Sequence, residues 1–128
     1  MILDTHAWVF YLTQKPLSKA SLRKIKSGSI AIASITLWEV ALLIQSDRLR
    51  IDGSIRDWLD TAIARSRVRV DALDADIAQE AVRLTSLLRD PADCQIVGTA
   101  LRKSVPLVTR DARIIDASEH LGLKIIEA

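Results

Sequence analysis

Apolar residues arrive along this chain in two rhythms. Short β-branched runs at 1–4, 30–34, 68–72, 107–109 and 124–126 predict strands. Between them lie longer stretches with the period of helices, at 5–13, 18–27, 35–46, 54–66, 74–88, 91–103 and 111–118. Several of these carry their own start signals. Ser18, Ser54 and Asp74 are favoured N-cap types, and Pro91 suits a first helical position behind Asp90. Gly28, Gly53 and Gly122 mark exits or turns. Strands that alternate with helices imply right-handed crossovers. The expected fold is therefore α/β, with three layers and a central, mainly parallel five-stranded sheet covered on both faces. Ligands of such sheets sit at the carboxyl ends of the strands.

No repeat, low-complexity tract or linker interrupts the pattern, and 128 residues suit one domain spanning 1–128. The composition is that of an ordinary globular protein, 49% hydrophobic and 27% charged, which excludes a disordered or fibrous chain. The longest apolar stretches are broken by Asp4, His6 or Glu39 and fall short of the roughly 20 residues needed to span a bilayer. No secretory signal pattern is present, so a soluble, cytoplasmic protein without membrane contact is expected. Cys94 is the only cysteine, which excludes an internal disulfide and a thiolate-rich zinc site. The net charge of +2 is slight, but twelve of the 18 basic residues are Arg, the side chain suited to bidentate contact with phosphate.

Four acids stand out by position. Asp4 ends the first strand, where its side chain can reach the ligand crevice, although Asp is equally at home as the cap of the next helix. Glu39 interrupts an apolar helix, with Ile35, Leu42 and Leu43 at helical spacing and no Lys or Arg in register. An unpaired carboxylate on a buried face costs several kcal/mol, so a bound cation is the expected partner. Asp93 falls in the first turn behind the N-cap candidate Asp90, and Asp111 follows the strand at 107–109. Both positions also suit the helix dipole without any further role. Strand ends and helix starts on one sheet edge bring Asp4, Asp93 and Asp111 to the same side, facing Glu39, and the pattern reads as a divalent-metal site.

These residues carry a family resemblance. Asp4-Thr5-His6, the apolar-flanked Glu39, Arg89-Asp90-Pro91-Ala92-Asp93 followed by Ile96-Val97-Gly98-Thr99-Ala100, and Leu107-Val108-Thr109-Arg110-Asp111 resemble, in order, the successive motifs of the PIN domain. The resemblance covers essentially the whole chain and is strongest to the VapC-type toxins of toxin-antitoxin pairs. It implies a magnesium- or manganese-dependent endoribonuclease with Asp4, Glu39, Asp93 and Asp111 as the acidic quartet. Thr109 then matches the hydroxyl residue of the last motif and Asp90 an auxiliary acid. Cys94 and Gln95 depart from the Arg-rich or apolar residues expected after Asp93. A cognate antitoxin and a homodimer are the partners it implies.

Hard oxygen ligands suit Mg²⁺ or Mn²⁺ rather than zinc, and one or two such ions can activate water against a phosphodiester without a protein nucleophile. Arg89, Arg110 and Arg113 lie beside the acid motifs and are the candidates for RNA backbone contacts. Arg65, Arg67 and Arg69 read as the solvent face of an edge strand. Trp8, Trp38 and Trp58 read as core or interface, and Trp8, Tyr11, Leu12, Trp38, Leu42, Leu43 and Trp58 together exceed what a domain this small readily buries. His6 reads as a capping or surface residue, and His120 as solvent-facing. The competing readings are a catalytically silent RNA- or protein-binding module and a non-toxin RNA-processing nuclease. A phosphoryl-transfer domain with an aspartyl nucleophile is disfavoured, because His6 stands where a second Asp would be needed.

Overall fold

The computed structural model describes all 128 residues. Five short strands form one sheet in the order β3-β2-β1-β4-β5: β1 (Ile2–Leu3), β2 (Ala31–Ala33), β3 (Arg69–Asp71), β4 (Leu107–Thr109) and β5 (Ile125–Glu127). Every neighbouring pair is parallel, so the sheet is wholly rather than mainly parallel. The strands are shorter than the apolar runs suggest because their flanking residues already turn toward helices. Asp4 and Ser34, read as strand ends, instead stand as the residues before α1 (Thr5–Leu12) and α3 (Ile35–Gln45).

Alternation along each strand sorts the core into two layers. Ile2, Ala31, Ala33 and Leu107 face one side and pack with residues of α5 (Ala75–Arg83), α6 (Pro91–Lys103) and α7 (Ala112–Leu121). Leu3, Ile32, Val108 and Ile126 face the other and pack with residues of α1, α2 (Lys19–Ser27), α3 and α4 (Ile55–Ser66). The three-layer sandwich follows from that period of two. The segment read as one helix over 74–88 is α5 followed by a 3₁₀ turn at Leu84–Ser86, which lets the chain swing from α5 into the Asp90 cap of α6. Gly98 on α6 lies so close to α5 that a Cβ there would stand 3.3 Å from the Ala81 backbone nitrogen.

Trp8 is fully buried, its indole N–H donating to Ser66 Oγ at 3.1 Å, and so belongs to the core rather than to an external apolar surface. Trp38 and Leu42, one turn apart on α3, remain 58% and 39% exposed. Arg69 lies on the edge strand β3, as expected of the alternating arginines, and pairs bidentately with Asp71. No helix is long and apolar enough to cross a membrane.

Candidate active site

The strand order reverses direction at β1, which lies between β2 and β4. At such a switch the loops after neighbouring strands diverge to opposite faces and open a crevice at their carboxyl ends. Asp4 leaves β1 there, and Asp111 follows β4 next door.

The cap reading of Asp4 is the one its contacts show. Its carboxylate caps α1 by accepting the Ala7 N–H at 2.7 Å, while the residue itself is only 6% exposed. Burial pushes its carboxyl above the ordinary value, partly offset by hydrogen bonds from Thr109 and the Ala7 N–H. Thr109 is fully buried, and its hydroxyl oxygen accepts the Asp111 backbone N–H at 3.0 Å.

Glu39 is half-buried and does have a partner within the chain, which its apolar helical neighbours did not reveal. The Thr5 hydroxyl donates to Glu39 Oε1, tying α1 to α3 across the crevice. Burial nevertheless raises the Glu39 carboxyl, and the negative charges of Asp90 and Asp4 raise it further. Thr5 and the fully buried Thr36, one turn before Glu39, are site residues that sequence reasoning passed over. The available signal was a threonine beside each acid on an otherwise apolar helix.

Asp90 caps α6 by accepting the N–H groups of Ala92 at 2.8 Å and Asp93 at 3.1 Å. Asp93 in the first turn is pushed up to about 6, by burial first and then by the charges of Asp90 and Asp111, with Glu39 adding to them. Asp111 behaves oppositely. It caps α7 through the Arg113 N–H at 2.9 Å, and the Arg113 guanidinium beside it holds its carboxyl below the ordinary value. Repulsion links Asp4 to Asp111 and Glu39, and Asp93 to Asp111 and Glu39. They do not converge into a closed cage: no three acidic, histidine or cysteine side chains gather around a common point. The four carboxylates offer oxygen donors alone, the ligand chemistry of Mg²⁺ or Mn²⁺ rather than of zinc.

Of the three arginines expected at the rim, Arg89 is exposed and lines a 200 Å³ cavity with Leu87, Leu88, Asp93 and Arg113. Arg110 turns away from the acids. It donates to the Pro16 carbonyl at 2.9 Å and its guanidinium carbon lies 4.6 Å above the Phe10 ring, so part of its charge is already engaged. Arg113 lies among the carboxylates, paired with Asp111 and Asp93. His6 is exposed and packs edge-on to Phe10. Cys94 is buried, with its thiol donating to the Leu88 carbonyl.

Comparison with known proteins matches residues 1–119 to the family model described as PIN domain. The chain is similar to Ribonuclease VapC22 of Mycobacterium tuberculosis, at 30% identity over 118 residues that cover 89% of this chain and 88% of that protein. Among solved structures it resembles VapBC from Salmonella typhimurium bound to DNA, with TM-score 0.69 and 24% identity over 98% of this chain and 95% of that one. It also resembles VapBC2 from Rickettsia felis bound to a fragment of promoter DNA, with TM-score 0.70 and 21% identity over 98% of this chain and 96% of that one.

Proposed function

The chain belongs to the PIN-domain family, and from that premise we propose that it is a metal-dependent endoribonuclease acting as the toxin of a toxin-antitoxin pair. What supports the reading is that Asp4 and Asp111 follow neighbouring strands at the sheet's switch point, while the carboxyls of Asp4, Glu39 and Asp93 are raised by burial and by neighbouring acids. Ribonuclease activity in a relative that matches nearly end to end supports the reaction class. Structures of the same fold that are described as toxin-antitoxin complexes or systems support the partner.

Mg²⁺ or Mn²⁺ held by the quartet would polarise the scissile phosphate and supply a water acidic enough to attack it at neutral pH. The chain's own residues prepare that site. Thr109 and the Ala7 N–H fix Asp4, and Thr5 fixes Glu39, so these two carboxylates are aimed before substrate arrives. Asp90 keeps its place as a cap while its charge maintains the demand for a cation at Asp93. Arg89 and Arg113 offer the guanidinium contacts that draw an RNA backbone to an acidic centre, whereas Arg110 is held away by Pro16 and Phe10. A homodimer is supported by Trp38 and Leu42, whose exposed faces on α3 form an apolar patch that a second copy can cover.

The test is expression of the chain alone, with Asp4→Ala and with the product of the neighbouring gene as companions. Growth arrest by the wild type alone, relieved in both companions, is expected. A soluble, well-expressed wild type that leaves growth untouched would remove the toxin reading and leave the nuclease.

A further inference from the structure

Arg113 is a cation already inside the acidic crevice. Its Nη2 stands 2.8 Å from Asp111 Oδ2 and 3.5 Å from Asp93 Oδ2, so one guanidinium joins two members of the quartet that come from different helices. Its Nε also donates to Asp111 Oδ1 at 3.2 Å. The local sequence makes this reach possible, because Asp111 is the N-cap of α7 and lies outside the helical spacing that would part residues two apart. The first turn of a helix is otherwise a poor place for a positive charge, since the helix dipole is positive there. The carboxylates, rather than the helix, hold the guanidinium in place.

The grip is an exchangeable one. The Arg113 side chain is 71% exposed, which leaves it free to swing, whereas Asp93 and Asp111 are 18% and 29% exposed and held by their helices. The cavity lined by Leu87, Leu88 and Arg89 lies beside it as room for the departing group. A dication meets the same two carboxylates with twice the charge and a smaller radius, so Coulomb attraction favours the exchange.

Building on the metal-dependent reading above, we infer that Arg113 is a built-in counter-cation that holds Asp93 and Asp111 together while the crevice lacks a metal ion, and that metal binding must displace it. Arg113 is in this sense a positioning residue that competes with the ion. Its removal makes metal binding tighter, the reverse of what loss of a supporting residue does.

The experiment is a calorimetric titration of Mn²⁺ into the wild-type protein, Arg113→Gln and Arg113→Lys at pH 7.5, with the Mn²⁺-induced rise in melting temperature as a second readout. Arg113→Gln should bind Mn²⁺ about twofold to fivefold more tightly, the range set by loss of an exposed ion pair. It should also show a larger rise in melting temperature, and Arg113→Lys should return both values toward wild type. Equal or weaker Mn²⁺ binding by Arg113→Gln, with wild type binding normally, would overturn the inference and leave the metal reading standing. Absence of Mn²⁺ binding in all three proteins would overturn both.

Discussion

Thr109 and Asp111 are joined through the backbone: the Thr109 hydroxyl accepts the Asp111 N–H at 3.0 Å, and the same buried residue favours the ionised form of Asp4. One buried side chain thus couples the two acids that flank the β1–β4 switch. Thr109→Val keeps the shape but strands a partly buried N–H and removes a hydroxyl beside the buried Asp4 carboxylate. It should cost about 1–3 kcal/mol of stability and weaken metal binding. Urea unfolding checks the first and Mn²⁺ titration the second, and a variant indistinguishable from wild type in both would show that the hydroxyl is idle.

Asp93 sets a pH dependence with a definite sign. Its carboxyl titrates at about 6 in the folded protein against an ordinary 3.8. Below both values the proton is bound in both states and the group contributes nothing. As pH rises, the unfolded chain ionises first, so the metal-free protein loses stability from about pH 4 to about pH 6 and carries the full penalty above that. Asp93→Asn removes this slope and should be more stable than wild type at pH 7.5 by about 1 kcal/mol, a figure discounted for the partial solvation of the carboxyl. Asp111, held low by Arg113, has the opposite sign: its contribution is present above its ordinary value of 3.8 and lost on acidification below it. Thermal unfolding in chelator measures the second below pH 4 and the first across pH 4 to 8. A stability difference between wild type and Asp93→Asn that stayed constant over that range would contradict the assignment.

Metal should act against the same penalty. Adding Mn²⁺ at pH 7.5, where Asp93 is ionised, should raise the melting temperature. At pH 5 protons compete for the carboxylate and the rise should shrink. An equal rise at both values would place the ion elsewhere.

Gly98 fixes the spacing of α5 and α6, and α6 carries Asp93 at its start. A valine there must push its branched side chain against the Ala81 backbone, which cannot move without shifting α5. Gly98→Val should lose about 1–3 kcal/mol or more, with chemical denaturation as the measure. Wild-type stability would mean that the two helices separate without cost.

The fold was legible because its signals are local. Period-two strands, helical runs and the caps at Ser18, Ser54, Asp74 and Asp90 each announce themselves within a few residues, and the structure uses all four as caps. The break after Arg83 was not legible, because helical periodicity continues through the 3₁₀ turn and only packing reveals the change. Position along the chain was enough to nominate the four acids, since each follows a strand or opens or interrupts a helix. What no spacing could show were contacts between distant segments. Thr5 reaches Glu39 from 34 residues away, and Arg110 is drawn off by Pro16 and Phe10. Trp8 illustrates the same limit: large apolar residues advertise burial but not whether a neighbour in the fold or a second molecule provides it.

The most direct measurement is cleavage of a single-stranded RNA by the purified wild type, Asp4→Asn and Glu39→Gln, each with Mn²⁺ and with excess chelator. Both substitutions remove a charge while keeping shape, and relief of repulsion should leave the metal-free proteins at least as stable as wild type. The account predicts internal cleavage by the wild type in Mn²⁺, none in chelator, and a loss of at least about 100-fold in each variant despite an intact fold. Cleavage by the wild type in chelator, or undiminished cleavage by Asp4→Asn and Glu39→Gln, would contradict it.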